Sequence, residues 1–188
     1  MSPRAALCIA LFVPACASIP EPAPEPPPED RTEEARRIVD RFQADLLAAL
    51  SAALAEGGPT AAVEVCAEIA PAIAAALSEE SGAVVRRTAL RNRNPHAVPN
   101  AAERRGMAAF ASPLDAEGKP REWSEATPAS FRYMRAIPTK PMCTTCHGTS
   151  IAPDVAAAIR ARYPNDAATG FAPGDLRGAF SVRWENRR

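Results

Sequence analysis

Histidine is almost missing from this sequence: among 188 residues only His96 and His147 carry an imidazole. Any metal site must use one of these two or do without the ring. An excess of either charge is missing too, since 22 lysines and arginines balance 22 acidic residues. No basic cluster stands out, which argues against a nucleic-acid partner. The apolar N-terminal run is too short for a membrane-spanning helix, which needs roughly 20 such residues. A second close pair of cysteines to match Cys143 and Cys146 is also lacking, which argues against a structural zinc site with four ligands.

What is present begins with an export signal. "MSPR" supplies a positive start, and "AALCIALFVPACA" from Ala5 to Ala17 is nearly all apolar. Two cleavage patterns compete. "ACA" before Ser18 suits ordinary signal peptidase, which makes residues 1–17 the signal peptide. "VPAC" resembles a bacterial lipobox ending before Cys16, the candidate lipidation residue, although Pro14 is unusual there. Residues 18–30, "SIPEPAPEPPPED", have proline at almost every second position and read as an extended linker or tether. The expected location is periplasmic, with a lipid anchor to a membrane as the alternative.

Residues 31–188 fit one domain, and 47% apolar content across the chain allows a sizeable core. Asp30 or Thr32 can cap a first helix, in which Val39, Phe42, Leu46, Leu50 and Ala53 draw one apolar face. "GGP" at Gly57–Pro59 should end it. A second helix is expected over about 60–80, with Val63, Cys66, Ile69, Ile73 and Leu77 on one face. Pro71 cannot donate to the carbonyl of Ala67, so a kink is expected just past Cys66. Beyond Gly82, "AVVRRTALR", "SFRYMRAI" and "AFSVRW" have strand texture, and "AAERRGMAAF" looks helical. A further helix fits 153–162. Helices first and separated strands later predict an α+β fold around an antiparallel sheet.

"CTTCH", Cys143–His147, carries the chemistry. A redox dithiol usually sits beside a βαβ pattern, which is lacking around it. C-x-x-C-H is instead the attachment signature of c-type haem. Two thiols, Cys143 and Cys146, add to the two vinyl groups on one porphyrin edge, and His147 follows as the proximal iron ligand. Such attachment takes place outside the cytoplasmic membrane, in agreement with export. For the sixth ligand the residues leave several candidates: Met107, Met134, Met142, His96, Lys140 and Cys66. Cys66 shares a face with core residues, where a small buried thiol is ordinary.

Four stretches in order add a resemblance: "CAEIAPAIA", "RRTALRNRNPHAVPN", "CTTCHG" and "YPNDAATGFAPGDLRGAFSV". From about Glu33 to Trp184 the chain resembles a bacterial family of monohaem c-type domains with a PAS-like fold. The resemblance implies one covalently attached haem c, with His147 as one axial ligand and Cys66 of "CAEIAP" as the distal one. Ala97 and Asn100 depart from the family's usual residues, which should affect the loop and not the ligation.

A His/Cys pair implies a low potential, because thiolate favours ferric iron. The expected function is a redox or gas-responsive haem sensor module, in which Cys66 leaves on reduction and carbon monoxide or nitric oxide takes its place. The alternative is a simple periplasmic electron-transfer cytochrome. An occupied sixth position argues against an enzyme. The expected partner is a redox or signalling protein, which would also supply any output. Arg86, Arg87 and Arg93 are noted as groups able to meet haem propionates, although arginines on a strand face are usually solvated.

Overall fold

The computed structural model describes residues 28–110 and 112–186. The expected signal peptide, Cys16 and most of the linker lie outside the described residues. Helix α1 spans Pro28–Glu64, so Asp30 and Thr32 stand inside it and not at its start. Val39 and Phe42 are fully buried, with Leu46 nearly so and Leu50 and Ala53 packed at the margin. The helix breaks at Gly58, whose φ of 70° and ψ of −166° suit only glycine, as "GGP" predicts.

Past the break, the ladder widens into a π-helical turn at Val65–Ile69 before α2, Ala70–Ser81. The Ala70 N–H bonds the carbonyl of Val65, five residues back. Pro71 stands in the first turn of α2 and offers no N–H to Ala67. The expected kink past Cys66 is thus a π turn that contains Cys66. One extra residue in the turn also shifts the apolar face. Ile69, expected inside, is 43% exposed, and Ala70 is 7% exposed in its stead. Gly82 closes α2 in the left-handed conformation.

The sheet has four antiparallel strands in the order β1–β4–β3–β2. They are β1 (Val84–Thr88), β2 (Glu122–Thr127), β3 (Ser130–Pro138) and β4 (Leu176–Glu185). Strand β2 was not legible in the sequence, because five of its six residues are polar or small and no apolar alternation marks it. Val182 pairs with both Val85 and Tyr133, and Trp184 with Phe131. These residues and Phe180 form one face, which packs on Ala35, Ile38, Val39, Phe42 and Leu77 of the helices. Burying each large apolar side chain there contributes about 1.5–3 kcal/mol relative to exposure. By length and composition the helical stretch Arg31–Ser81 could cross a membrane, and it is this stretch that covers the sheet.

On a second face, α3 (Ala101–Ala109) packs Met107 and Phe110 against Met134, Ala136 and Ala179. Asn100 caps α3: its side chain accepts from the Glu103 N–H while Glu103 Oε2 accepts from the Asn100 N–H. Two short helices, α4 (Thr144–His147) and α5 (Pro153–Arg162), fill the connection from β3 to β4. The α+β architecture expected from the sequence, with its PAS-like antiparallel sheet and long N-terminal helices, is the one observed.

Candidate functional site

The segment "CTTCH" folds as a 3-10 turn, Pro141–Cys143, running into α4. Cys143, Cys146 and Cys66 are free thiols, each partly buried. Cys146 packs beside Val155, Ile159 and Tyr163 of the α5 region, and the same cluster takes in Val63 and Ala67 of the Cys66 segment. Arg162 reinforces this docking by pairing with Glu64 at 3.6 Å and with Glu68. Burial raises the Cys146 thiol pKa, opposed by the charge of Arg93 and assisted by the nearby Cys66 and Cys143. The tertiary structure therefore brings the two cysteine segments, 77 positions apart from Cys66 to Cys143, to one place.

His147 is held by the loop that follows α5. Its Nδ1 lies 2.7 Å from the carbonyl oxygen of Ala168. A carbonyl can only accept, so Nδ1 carries the proton and Nε2 keeps a free lone pair. The Phe171 ring meets the imidazole edge-on at 6.4 Å, and the Phe171 N–H donates to the His147 carbonyl at 2.9 Å. Burial, aided by the charges of Arg177, Arg93 and Arg87, pushes the His147 pKa down to about 2, against the opposing hydrogen bond to Ala168. The ring is neutral and fit to ligate.

Cys66 and His147 line the same cavity, of about 320 Å³, floored by Phe42 and bordered by Tyr163. Among the other sixth-ligand candidates, Met107 and Met134 are packed in the cluster under α3, and Met142 is 45% exposed. His96 does line the cavity, with its own N–H bonded to Asn94 Oδ1 at 2.8 Å. Lys140 is exposed and outside the lining, so of the six candidates Cys66 and His96 line the cavity with His147. Among the described residues no group of three or more His, Cys, Asp and Glu side chains gathers to hold an ion unaided. A site that offers imidazole and thiol donors but no cluster of them suits a group that brings further donors of its own.

Arginines surround the cavity. Arg93 is buried, and its Nη2 donates to the Cys146 carbonyl at 2.6 Å and to Asp166 Oδ2 at 3.0 Å. Arg86 reaches the carbonyls of His96 and Val98 and lies 3.7 Å from Glu103. Arg177, which the sequence analysis passed over, is buried and lines the cavity beside Arg87. It lies within "YPNDAATGFAPGDLRGAFSV", but nothing in that stretch set it apart from its neighbours.

A family model described as Tll0287-like matches residues 26–184. The chain belongs to the Tll0287-like family. A solved structure, described as that of the cyanobacterial heme-protein Tll0287, matches with 26% identity and a TM-score of 0.67. The match covers 85% of this chain and 97% of that one. No curated protein matches. For a Tll0287-like chain, the segments that define the cavity, from Cys66 through His147 to Arg177, all fall within the matched residues.

Proposed function

We propose that this chain is an exported monohaem c-type cytochrome with His147 and Cys66 as axial ligands, acting as a redox- or gas-responsive sensor module. The observation that carries the reading is the shared cavity: Cys66 and His147 both line it, and the His147 Nε2 lone pair is left free by the bond to Ala168. The similarity to a cyanobacterial haem-protein supports the same cofactor. The residues fit haem on their own chemistry as well. Two free thiols sit beside the imidazole, and buried guanidinium Nε atoms of Arg87 and Arg177 lack partners next to the cavity.

When bound, haem supplies a one-electron couple and a position for a small ligand. The chain's own residues set how that position behaves. Cys143 and Cys146 hold the group through their sulfurs, and His147 ligates with its ring fixed by Ala168. Cys66, as thiolate, favours the oxidised state and keeps the potential low. Cys66 would hold the group as thiolate and would release it once protonated. The π turn at Val65–Ile69 is where the helix yields, because its ladder is widened and Pro71 gives Ala67 no donor. On this reading the domain works in the periplasm, free or held by a lipid on Cys16.

The test is absorption spectroscopy of the oxidised and reduced protein, matured with haem-attachment machinery, beside Cys66→Ala. A thiolate-type oxidised spectrum that Cys66→Ala abolishes, with carbon monoxide binding to the reduced wild type, is expected. An unchanged spectrum in Cys66→Ala would reject this ligation and leave His96 and an ordinary electron carrier.

A further inference from the structure

The cavity holds more positive charge than its protein partners balance. Four arginines line it among the described residues: Arg86 and Arg87 from β1, Arg93 from the loop after β1, and Arg177 from β4. Among the described residues, Arg86 and Arg93 have carboxylate partners, Glu103 at 3.7 Å and Asp166 at 3.0 Å, whereas Arg87 and Arg177 have none. Arg177 is only 9% exposed, and its one side-chain hydrogen bond goes from Nη1 to the Arg91 carbonyl at a long 3.3 Å. The Nε atoms of Arg87 and Arg177 are buried with no hydrogen-bond partner. Arg93 Nε is unpartnered as well, but its Nη2 is already committed to Asp166 and to the backbone. Buried cationic donors without partners are costly, and half-buried Arg87 and buried Arg177 bring two such Nε atoms to one cavity.

The backbone shows how both come to face the cavity. Arg87 pairs directly with Phe180, so the two side chains share the helix-covered face of the sheet. Arg177 is three residues from Phe180, and strict alternation would turn it to the other face. The register, however, slips here: Ile137 opposes Gly178 and Pro138 opposes Leu176, which leaves Arg177 as the extra residue of a bulge. A bulge re-aims a side chain, and this one turns Arg177 to the face of Ile137, which also lines the cavity. Phe171 then steadies it, with the Arg177 guanidinium 5.3 Å from the ring centroid and that of Arg91 at 3.6 Å.

We propose that Arg87 and Arg177 form a carboxylate seat, one guanidinium for each of the two propionates of the bound haem. This rests on the haem reading above. Propionates leave the porphyrin at the edge remote from the vinyl groups that Cys143 and Cys146 capture, and Arg87 and Arg177 come from β1 and β4, elements other than the α4 that carries Cys146. Arg86 and Arg93, two of the three arginines singled out in the sequence, are committed elsewhere, to Glu103 and backbone carbonyls and to Asp166. The electrostatics agree: burial, then the charges of Arg87 and Arg93, push the Arg177 pKa down to about 9, a strain that an anion would relieve.

The experiment is resonance Raman spectroscopy of the matured protein, reading the propionate bending band in the wild type, Arg87→Met, Arg177→Met and the corresponding lysine variants. The band is expected to move in both methionine variants and to return part of the way in the lysine ones, while Arg160→Met, on exposed α5 surface, leaves it in place. An unmoved band in both methionine variants, with haem still covalently attached, would overturn the seat and spare the haem reading. If a methionine variant fails to mature, a crystal structure of the wild-type holoprotein decides. Guanidinium nitrogens of Arg87 and Arg177 at about 2.7–3.2 Å from propionate oxygens are expected, and solvent-facing propionates would reject the seat. A wild type without covalent haem, by pyridine haemochrome assay, would overturn the parent reading and the seat together.

Discussion

The guanidinium of Arg93 donates to the carbonyl of Cys146, 53 positions away, at 2.6 Å. The same Nη2 binds Asp166, whose other oxygen accepts from the Ala168 N–H at 2.8 Å. Ala168 in turn fixes the His147 ring. One buried ion pair therefore connects the loop after β1, the C-x-x-C-H segment and the residue that sets the His147 tautomer.

Removing the acid should be costly. Asp166→Ala leaves Arg93 buried without its counter-charge, and a loss of roughly 3–5 kcal/mol is expected, read as a lowered urea midpoint. Asp166→Asn retains an acceptor for Ala168 and should lose less. A change under about 1 kcal/mol in the alanine variant would mean that Arg93 is satisfied by the backbone alone.

Acid stability should run through Glu122. It accepts from Arg36 Nε at 2.9 Å and from Arg135 Nε at 3.2 Å, which ties α1 to the sheet. Burial pushes its pKa up, but hydrogen bonds from Arg36 and Tyr133 and the charges of Arg36 and Arg135 outweigh this and hold it below 4.5. A lowered folded pKa means that the stabilisation is complete above the unfolded value and is lost as pH falls through the folded one. Glu122→Gln should cost about 1 kcal/mol near neutrality, given partial exposure. Urea midpoints of the two proteins should converge as the pH falls below 4.5; a gap independent of pH would remove the carboxylate from the account.

Two glycines should respond differently to an added methyl group. A Cβ at Gly178 would lie 2.5 Å from the backbone oxygen of Thr88, which cannot move without spreading β1 from β4. At Gly106 it would meet Met134 Sδ at 2.5 Å and the Trp123 ring at 2.7 Å. Methionine can swing aside, so Gly178→Ala should lower the thermal midpoint more than Gly106→Ala, each within the roughly 1–3 kcal/mol of overpacking. The reverse order would show that Trp123 is the more rigid neighbour.

Asn100 departs from the usual residue of the resembling family, yet it completes the capping box with Glu103. Asn100→Ala should lose about 1 kcal/mol of stability. The absorption spectrum should stay unchanged, because α3 packs on the face of the sheet that carries Met134 and Ala179, and no α3 residue lines the cavity. A spectral change would connect this cap to the haem site.

Much of the architecture was legible in local pattern. The apolar spacing of Val39, Phe42 and Leu46 marked α1, and alternation in "AFSVRW" marked the face of β4 that enters the core. "GGP" marked the break at Gly58 because no other residue type tolerates that conformation. Where the pattern misled, long-range effects were responsible. Ile69 was assigned inward on a regular helical period, and a π turn of one extra residue rotated it out. Strand β2 has no apolar signal and exists because β3 supplies its hydrogen-bonded partner.

The site divides in the same way. Adjacency along the chain by itself marked Cys143, Cys146 and His147 as one C-x-x-C-H segment, which local pattern alone can reveal. It left Cys66 among several sixth-ligand candidates, because which residue faces His147 is a matter of folding and not of spacing. Tertiary structure brought Cys66 to the cavity through the packing of Val63 and Ala67 on α5, and buried Met107 and Met134 elsewhere. It also chose among the arginines: Arg86 and Arg93 found partners, and a bulge turned Arg177 inward. No periodicity in one strand announces a slip in its register with the next, so that last decision belongs to the fold alone.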